Sequence, residues 1–199
     1  MTPKKTNVPE EKLGFPKSLV LYFHDLIFML ITIMLIFLLL FRVVEVSGDS
    51  MYSTLWDGDM LLALSNVLYQ EPEQGDIVVI SKKSFEDGRP IVKRVIATEG
   101  QTVDIDFVQG IVYVDGQAIE EDYIHNPTTT DRGTVFPLTV APGCIFVMGD
   151  NRGVSLDSRS PEIGQIDTRQ VLGKAIFLML PGTHHNQLPR AWERMGAIK

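Results

Sequence analysis

The 199-residue chain has one cysteine, Cys144, so a monomer can build no disulfide framework in any compartment. Set in the run Cys144-Ile145-Phe146-Val147-Met148, it reads as a small buried apolar residue rather than a reactive thiol. Basic residues are also in short supply: 18 Lys and Arg against 25 Asp and Glu leave a formal net charge of -7. No basic stripe is available to neutralise a phosphate backbone, which excludes nucleic acid as a partner. The four histidines supply no Ser-His-Asp triad: His24 sits at the edge of an apolar run, His125 in a mid-chain excursion, and His184-His185 in a late polar loop. The adjacent pair lacks a nearby cysteine or a helical i, i+4 partner, so neither a metal site nor a cofactor is expected. Long amphipathic helical patterns are missing as well.

One apolar run is long. Leu26 to Phe41 is uncharged, with Thr32 its only polar interruption. Adding Val43 to Val46 gives roughly 20 residues at about 1.5 Å each, enough to span a bilayer if Arg42 snorkels to the interface. A cleaved signal peptide fits less well, because its apolar region is about 7–15 residues and Val46-Ser47-Gly48-Asp49 offers no small-x-small cleavage site. Lys4, Lys5, Lys12 and Lys17 precede the run, whereas no Lys or Arg other than Arg42 falls between it and Ser81. The positive-inside rule then puts the N-terminus in the cytoplasm and everything after Val46 outside the cytoplasmic membrane. His24 and Asp25, beside Tyr22 and Phe23, suit the headgroup level.

Past the anchor, short β-branched runs alternate with turn signals, which predicts a mainly β body. The expected strands are 43–46, 60–64, 76–81, 91–98, 102–107, 111–114, 144–148 and 172–180. Asp115-Gly116 and Gln109-Gly110 mark tight hairpins; Asp57-Gly58 and Asp87-Gly88 mark further reversals. The chain divides into a tail (1–18), an anchor (19–46), a β core (47–98 and 142–183), an inserted hairpin region (99–141) and an unassigned C-terminal tail (184–199).

Three polar stretches could carry chemistry. Ser50, in Ser47-Gly48-Asp49-Ser50-Met51, is a candidate nucleophile, and a serine hydroxyl needs a neighbouring base to take its proton. In Ile91-Val92-Lys93-Arg94-Val95-Ile96, a period of two puts Ile91, Lys93 and Val95 on one face. Apolar neighbours and Arg94 would lower the lysine from about 10.4 towards values at which a neutral amine accepts a proton. Taken alone, the segment fits better a lysine whose stem covers apolar surface while its ammonium stays wet. The third stretch runs from Gly149-Asp150-Asn151-Arg152 to Ser155, Asp157 and Arg159. If extended, it would align those last three on one side; without other context it reads as an exposed turn with a surface ion pair.

The ordered set Ser47-Gly48-Asp49-Ser50-Met51 with Thr54-Leu55, Gly75-Asp76-Ile77-Val78, Lys93-Arg94-Val95-Ile96 and Gly149-Asp150-Asn151-Arg152 resembles bacterial type I signal peptidases, membrane-anchored Ser-Lys endopeptidases of the S26 family. The resemblance covers about Leu26 to Leu180. It implies a single transmembrane helix followed by an antiparallel, barrel-like β catalytic domain with a small β-hairpin insertion. It makes Ser50 the acylated nucleophile, with its backbone N–H in the oxyanion hole, and Lys93 the general base, oriented by Ser155. Asp150, Asp157, Arg94 and Arg159 would brace the loops. The partners implied are secretory preproteins, cut after small residues at -1 and -3, and the lipid bilayer. Residues beside Ser50 such as Met51, and Ile91 and Val95 of the lysine strand, would form substrate-binding walls. Met51, Tyr52, Leu55 and Trp56 would either dip into the outer leaflet or pack in the core.

Two positions depart from the family pattern. Gly48 stands where some members have a serine donating to the oxyanion, and Ser53 stands where many have proline. A LexA-like self-cleaving Ser-Lys protein would need a DNA-binding domain where this chain has an anchor. A non-catalytic anchored extracellular β binding domain would make the Ser50 and Lys93 matches incidental. No residue pattern speaks to oligomeric state.

Overall fold

The computed structural model describes residues 15–82, 85, 88–183 and 190–198; His184 and His185 lie outside them. The chain forms two compact units, Met1–Leu38 and Leu39–Lys199. The first contains most of helix α1, Phe15–Leu40. Leu, Ile and Met dominate it, and its large apolar side chains are exposed along its length. Its 24 residues from Lys17 to Leu40 are long and apolar enough to cross a membrane. Thr32 returns its hydroxyl to the Phe28 carbonyl at 2.9 Å, which satisfies the polar group within the helix.

The helix stops at Leu40 rather than running to Val46. Phe41–Glu45 is strand β1, paired antiparallel with β2 (Met60–Ser65) from Phe41↔Leu64 to Glu45↔Met60. β-Branched Val43 and Val44 favour that pleated pairing over another helical turn. The segment counted towards the anchor is therefore the first strand of the second unit.

That unit is mainly β. Its larger sheet has the order β1-β2-β11-β3-β4-β9-β10, with β12 paired to β11. The strands are β3 (Ile77–Ile80), β4 (Ile91–Ala97), β9 (Cys144–Met148), β10 (Ile166–Asp167), β11 (Val171–Leu180) and β12 (Gly196–Ala197). The smaller sheet has the order β7-β6-β5-β8, from β5 (Thr102–Asp106), β6 (Ile111–Val114), β7 (Gln117–Ala118) and β8 (Leu138–Thr139). Every pairing is antiparallel. Asp115 and Gly116, with φ of 52° and 77°, join β6 to β7 in the two-residue turn that their sequence signals.

Strands β3 and β4 are buried on both faces. Ile77, Val79 and Val92 pack into one core with Met51, Leu55, Leu61 and Leu178. Val78, Ile80 and Val95 face another with Ile145, Val147 and Ile166. A third core joins Ile96, Phe146 and Met148 of the large sheet to Val103, Ile105, Val112 and Val114 of the small one. The mid-chain excursion thus shares its apolar interior with the strand that carries Lys93.

Candidate active site

Strand pairing assembles the site. β4 pairs with β9 at Arg94↔Met148, so the loop leaving β9 at Gly149 starts beside Lys93 and Arg94. The turn carrying Ser50 lies against that loop. Asn151 donates its backbone N–H to the Ser50 carbonyl at 3.0 Å and its side-chain amide to the Asp49 carbonyl at 3.1 Å. Gly149 permits the approach, because a Cβ there would lie 2.3 Å from both the Ser50 carbonyl oxygen and the Ser155 Oγ.

Ser50 Oγ and Lys93 Nζ are 2.6 Å apart, and the amine also donates to the Val92 carbonyl at 3.1 Å. Lys93 is only 4% exposed, so the wet-ammonium reading of the isolated strand does not describe it. Tertiary cover from a segment 43 positions upstream overrides that reading. Among the described residues no acceptor pairs with the Ser50 N–H, which leaves it available as a donor.

On the other face of β4, Arg94 grips Asp150 with two bonds, Nε to Oδ1 at 2.9 Å and Nη2 to Oδ2 at 2.8 Å, and donates to the Gly75 carbonyl. Its guanidinium sits 3.9 Å above the Tyr123 ring. Burial, with the charge of Glu121, pushes the Tyr123 hydroxyl up to about 12. Asp150 also accepts from Thr54 Oγ1 at 2.6 Å, tying the far side of the Ser50 turn to the same ion pair.

The loop from Gly149 to Ser160 is a run of turns, not an extended strand. Asp157 and Arg159 still pair, at 2.8 Å through each carboxylate oxygen, because Ser160 N–H bonds the Asp157 carbonyl and folds the loop back. Both are fully buried, which corrects the surface-ion-pair reading. Burial alone would raise the Asp157 carboxyl, but the Arg159 bonds and charge, with the Gly149 N–H, hold it below the ordinary carboxylate range. The Ser155 hydroxyl is buried beside Gly149 and Asp157.

A cleft of about 610 Å³ opens over the Ser50–Lys93 pair. Met51 and Ile91 line it, with Pro90, Val92 and Leu156. Val95 does not: it is fully buried in the core with Ile80, Ile145, Ile163 and Ile166. Met51 and Leu55 are 0% and 1% exposed, so neither dips into a leaflet; the hydrophobic effect has placed both in the core.

Several site residues escaped the sequence reading. Asn151 and Arg152 stand inside the polar motif, where their roles are invisible without the partner turn. Arg152 is fully buried and donates to the Gly149 carbonyl at 3.1 Å, to Thr128 Oγ1 at 2.5 Å and to the Glu121 carboxylate. Arg159 likewise reaches the Thr130 carbonyl at 3.2 Å. The excursion therefore buttresses the 149–160 loop through residues that carry no local signal. Among the described residues no cluster of three or more His, Cys, Asp or Glu side chains could hold a metal ion.

The sequence model of the signal peptidase family, peptidase S26, matches residues 19–180. A probable signal peptidase I-1 of Synechocystis is 36% identical over 171 residues, covering 80% of this chain and 83% of that protein. Signal peptidase I of Bacillus licheniformis is 33% identical over 180 residues, covering 86% and 94%. A crystal structure of a signal peptidase I from Enterococcus faecalis aligns with TM-score 0.43 at 28% identity, over 52% of this chain and 96% of that one.

Proposed function

The chain belongs to the signal peptidase family, peptidase S26, whose hydrolases remove signal peptides, and from that premise we propose that it works through Ser50 as nucleophile and Lys93 as general base. The observation that carries the reading is the 2.6 Å separation of the hydroxyl from a lysine only 4% exposed, at the floor of a cleft. Burial strips away the water that would solvate an ammonium, which suits an amine that must accept a proton.

In this mechanism Lys93 Nζ takes the Ser50 Oγ proton as the oxygen attacks the scissile carbonyl carbon. The Ser50 N–H donates to the resulting oxyanion. Collapse breaks the C–N bond, the Lys93 proton passes to the departing amine, and the signal peptide stays esterified to Ser50. Lys93 then deprotonates a water that hydrolyses the ester, and the hydroxyl recovers its proton. The Arg94–Asp150 and Asp157–Arg159 pairs hold the flanking loops in register.

Apolar walls at Met51, Ile91, Val92 and Leu156 fit small side chains at -1 and -3 of an extended preprotein. The helix Lys17–Leu40 would anchor the enzyme in the cytoplasmic membrane with its N-terminus inside and the β unit outside. β1 then belongs to the catalytic body, with 99–141 as its buttressing insertion.

The test is cleavage of a purified preprotein in detergent by the parent chain, Ser50→Ala and Lys93→Ala. Both variants are expected to lose activity while keeping the parent circular dichroism spectrum. Full turnover by either one overturns the dyad.

A further inference from the structure

Residues 190–198 lie beyond the family match, which ends at residue 180, yet they are tied to the turn that carries Ser50. β12 pairs with β11 at Phe177↔Ala197 and Leu178↔Gly196, and Ile198 packs on the core that holds Met51 and Leu55. This fixes the turn Trp192–Arg194 and aims one side chain. Arg194 donates Nη1 to Asp59 Oδ1 at 3.0 Å, Nη2 to Asp59 Oδ2 at 2.6 Å, and Nη2 to the Thr54 carbonyl at 3.2 Å. Its guanidinium lies 3.9 Å from the centroid of the Trp56 ring.

Asp59 is fully buried. Its carboxylate takes two further bonds, from Trp56 N–H at 2.8 Å and Gly182 N–H at 2.6 Å. From there the restraint runs back to the nucleophile. The Asp59 carbonyl accepts from Val46 N–H at 2.8 Å, Gly58 N–H donates to the Val46 carbonyl at 2.9 Å, and Asp57 Oδ1 accepts from Gly48 N–H at 2.7 Å. Thr54 is held from both sides, its hydroxyl on Asp150 and its carbonyl on Arg194.

We propose that Arg194 is a positioning residue for the nucleophile: it neutralises Asp59 and clamps the 46–59 segment so that Ser50 Oγ stays within reach of Lys93. The proposal rests on the Ser50–Lys93 reading. Without the guanidinium, a buried carboxylate loses its counter-charge and the Thr54 carbonyl loses a donor. The cleft walls do not include Arg194, so substrate binding is left alone while the reacting atoms lose alignment.

The full chain in detergent is compared with Arg194→Ala and Arg194→Lys for kcat and KM on a purified preprotein, well below the melting transition. Turnover is expressed per folded molecule, with the folded fraction taken from near-UV circular dichroism. Arg194→Ala is expected to lower kcat by about 10- to 100-fold, the scale of a small misplacement of reacting groups, with KM within about twofold. Arg194→Lys, which keeps the charge but not the two-pronged grip, recovers part of the loss. Unchanged kcat per folded molecule, or a rise confined to KM, overturns the proposal. If Arg194→Ala does not fold, Arg194→Lys carries the test: a lowered kcat with the parent KM supports the clamp, and the parent kcat refutes it. Ser50→Ala run alongside separates the two readings. If it is inactive while the Arg194 variants turn over normally, only the clamp fails; if it is active, the dyad itself fails.

Discussion

Replacing Gly149 with alanine adds one carbon at the most crowded point of the site. That carbon would sit 2.3 Å from the Ser50 carbonyl oxygen and 2.3 Å from Ser155 Oγ, more than an ångström inside the roughly 3.5 Å at which such atoms rest. Rotating Ser155 about χ1 moves its Oγ, but its Cβ, 2.6 Å from the added carbon, stays with the backbone. The Ser50 carbonyl is backbone too and is held at 3.0 Å by the Asn151 N–H. Relief therefore comes by moving the Ser50 backbone away from β9, which drags Oγ from its 2.6 Å contact with Lys93. Overpacking of this kind costs about 1–3 kcal/mol of stability, and a shift near 1 Å in a reacting group costs on the order of 100-fold in rate. The assay is kcat on a purified preprotein, with the melting temperature followed in parallel. Adding Ser155→Gly to Gly149→Ala removes both Ser155 overlaps, Oγ and Cβ, and leaves the carbonyl clash, so stability recovers in part while turnover stays low. Parent-like kcat in Gly149→Ala would refute the reasoning, because the predicted overlap leaves no room for an unmoved nucleophile.

Two further outcomes follow from the same geometry. Lys93→Arg keeps a positive charge but offers a guanidinium that does not shed its proton in proteins, so preprotein cleavage falls to the level of Lys93→Ala; substantial turnover by the arginine variant would argue against a base at this position. Asp157→Asn leaves Arg159 buried without its counter-charge and is expected to cost about 3–5 kcal/mol in urea unfolding near neutral pH. The Asp157 carboxyl is depressed in the folded state, so its stabilisation is complete above the unfolded carboxylate value of about 4 and is lost as pH falls through the lower folded value. The gap between parent and variant should close on acidification, and a gap that widens towards acid would contradict the assigned direction.

The polar motif after β9 shows how far local chemistry reaches. Asp150, Asp157 and Arg159 stood out because charged residues crowd directly behind an apolar strand, and the structure pairs each of them. Their burial was not legible, since it depends on distant segments: Arg94 and Thr54 hold Asp150, and Arg159 reaches Thr130 in an excursion whose own residues look like an ordinary loop. Val95 shows the converse. Alternation along the strand predicts a cleft wall there, but Val95 is buried in the core with Ile163 and Ile166, which come from later in the chain. Arg194 is out of reach of any local pattern, as its partner Asp59 lies 135 positions away.

What could be read along the chain was whatever depends on near neighbours: an apolar run of membrane length, strands with several alternating residues, Gly-containing reversals, and three polar stretches with a chemistry in common. Two-residue strands such as β10 and β12 were beyond that reading, because a period of two needs several residues to declare itself. So was the burial of Met51 and Leu55. Those outcomes depend on which distant surface arrives to cover a residue, and in this protein that is settled by the antiparallel pairing of β4 with β9 and of β11 with β2, β3 and β12. A side chain's chemistry belongs to its residue type, whereas its access to water and its partners belong to the assembled sheet.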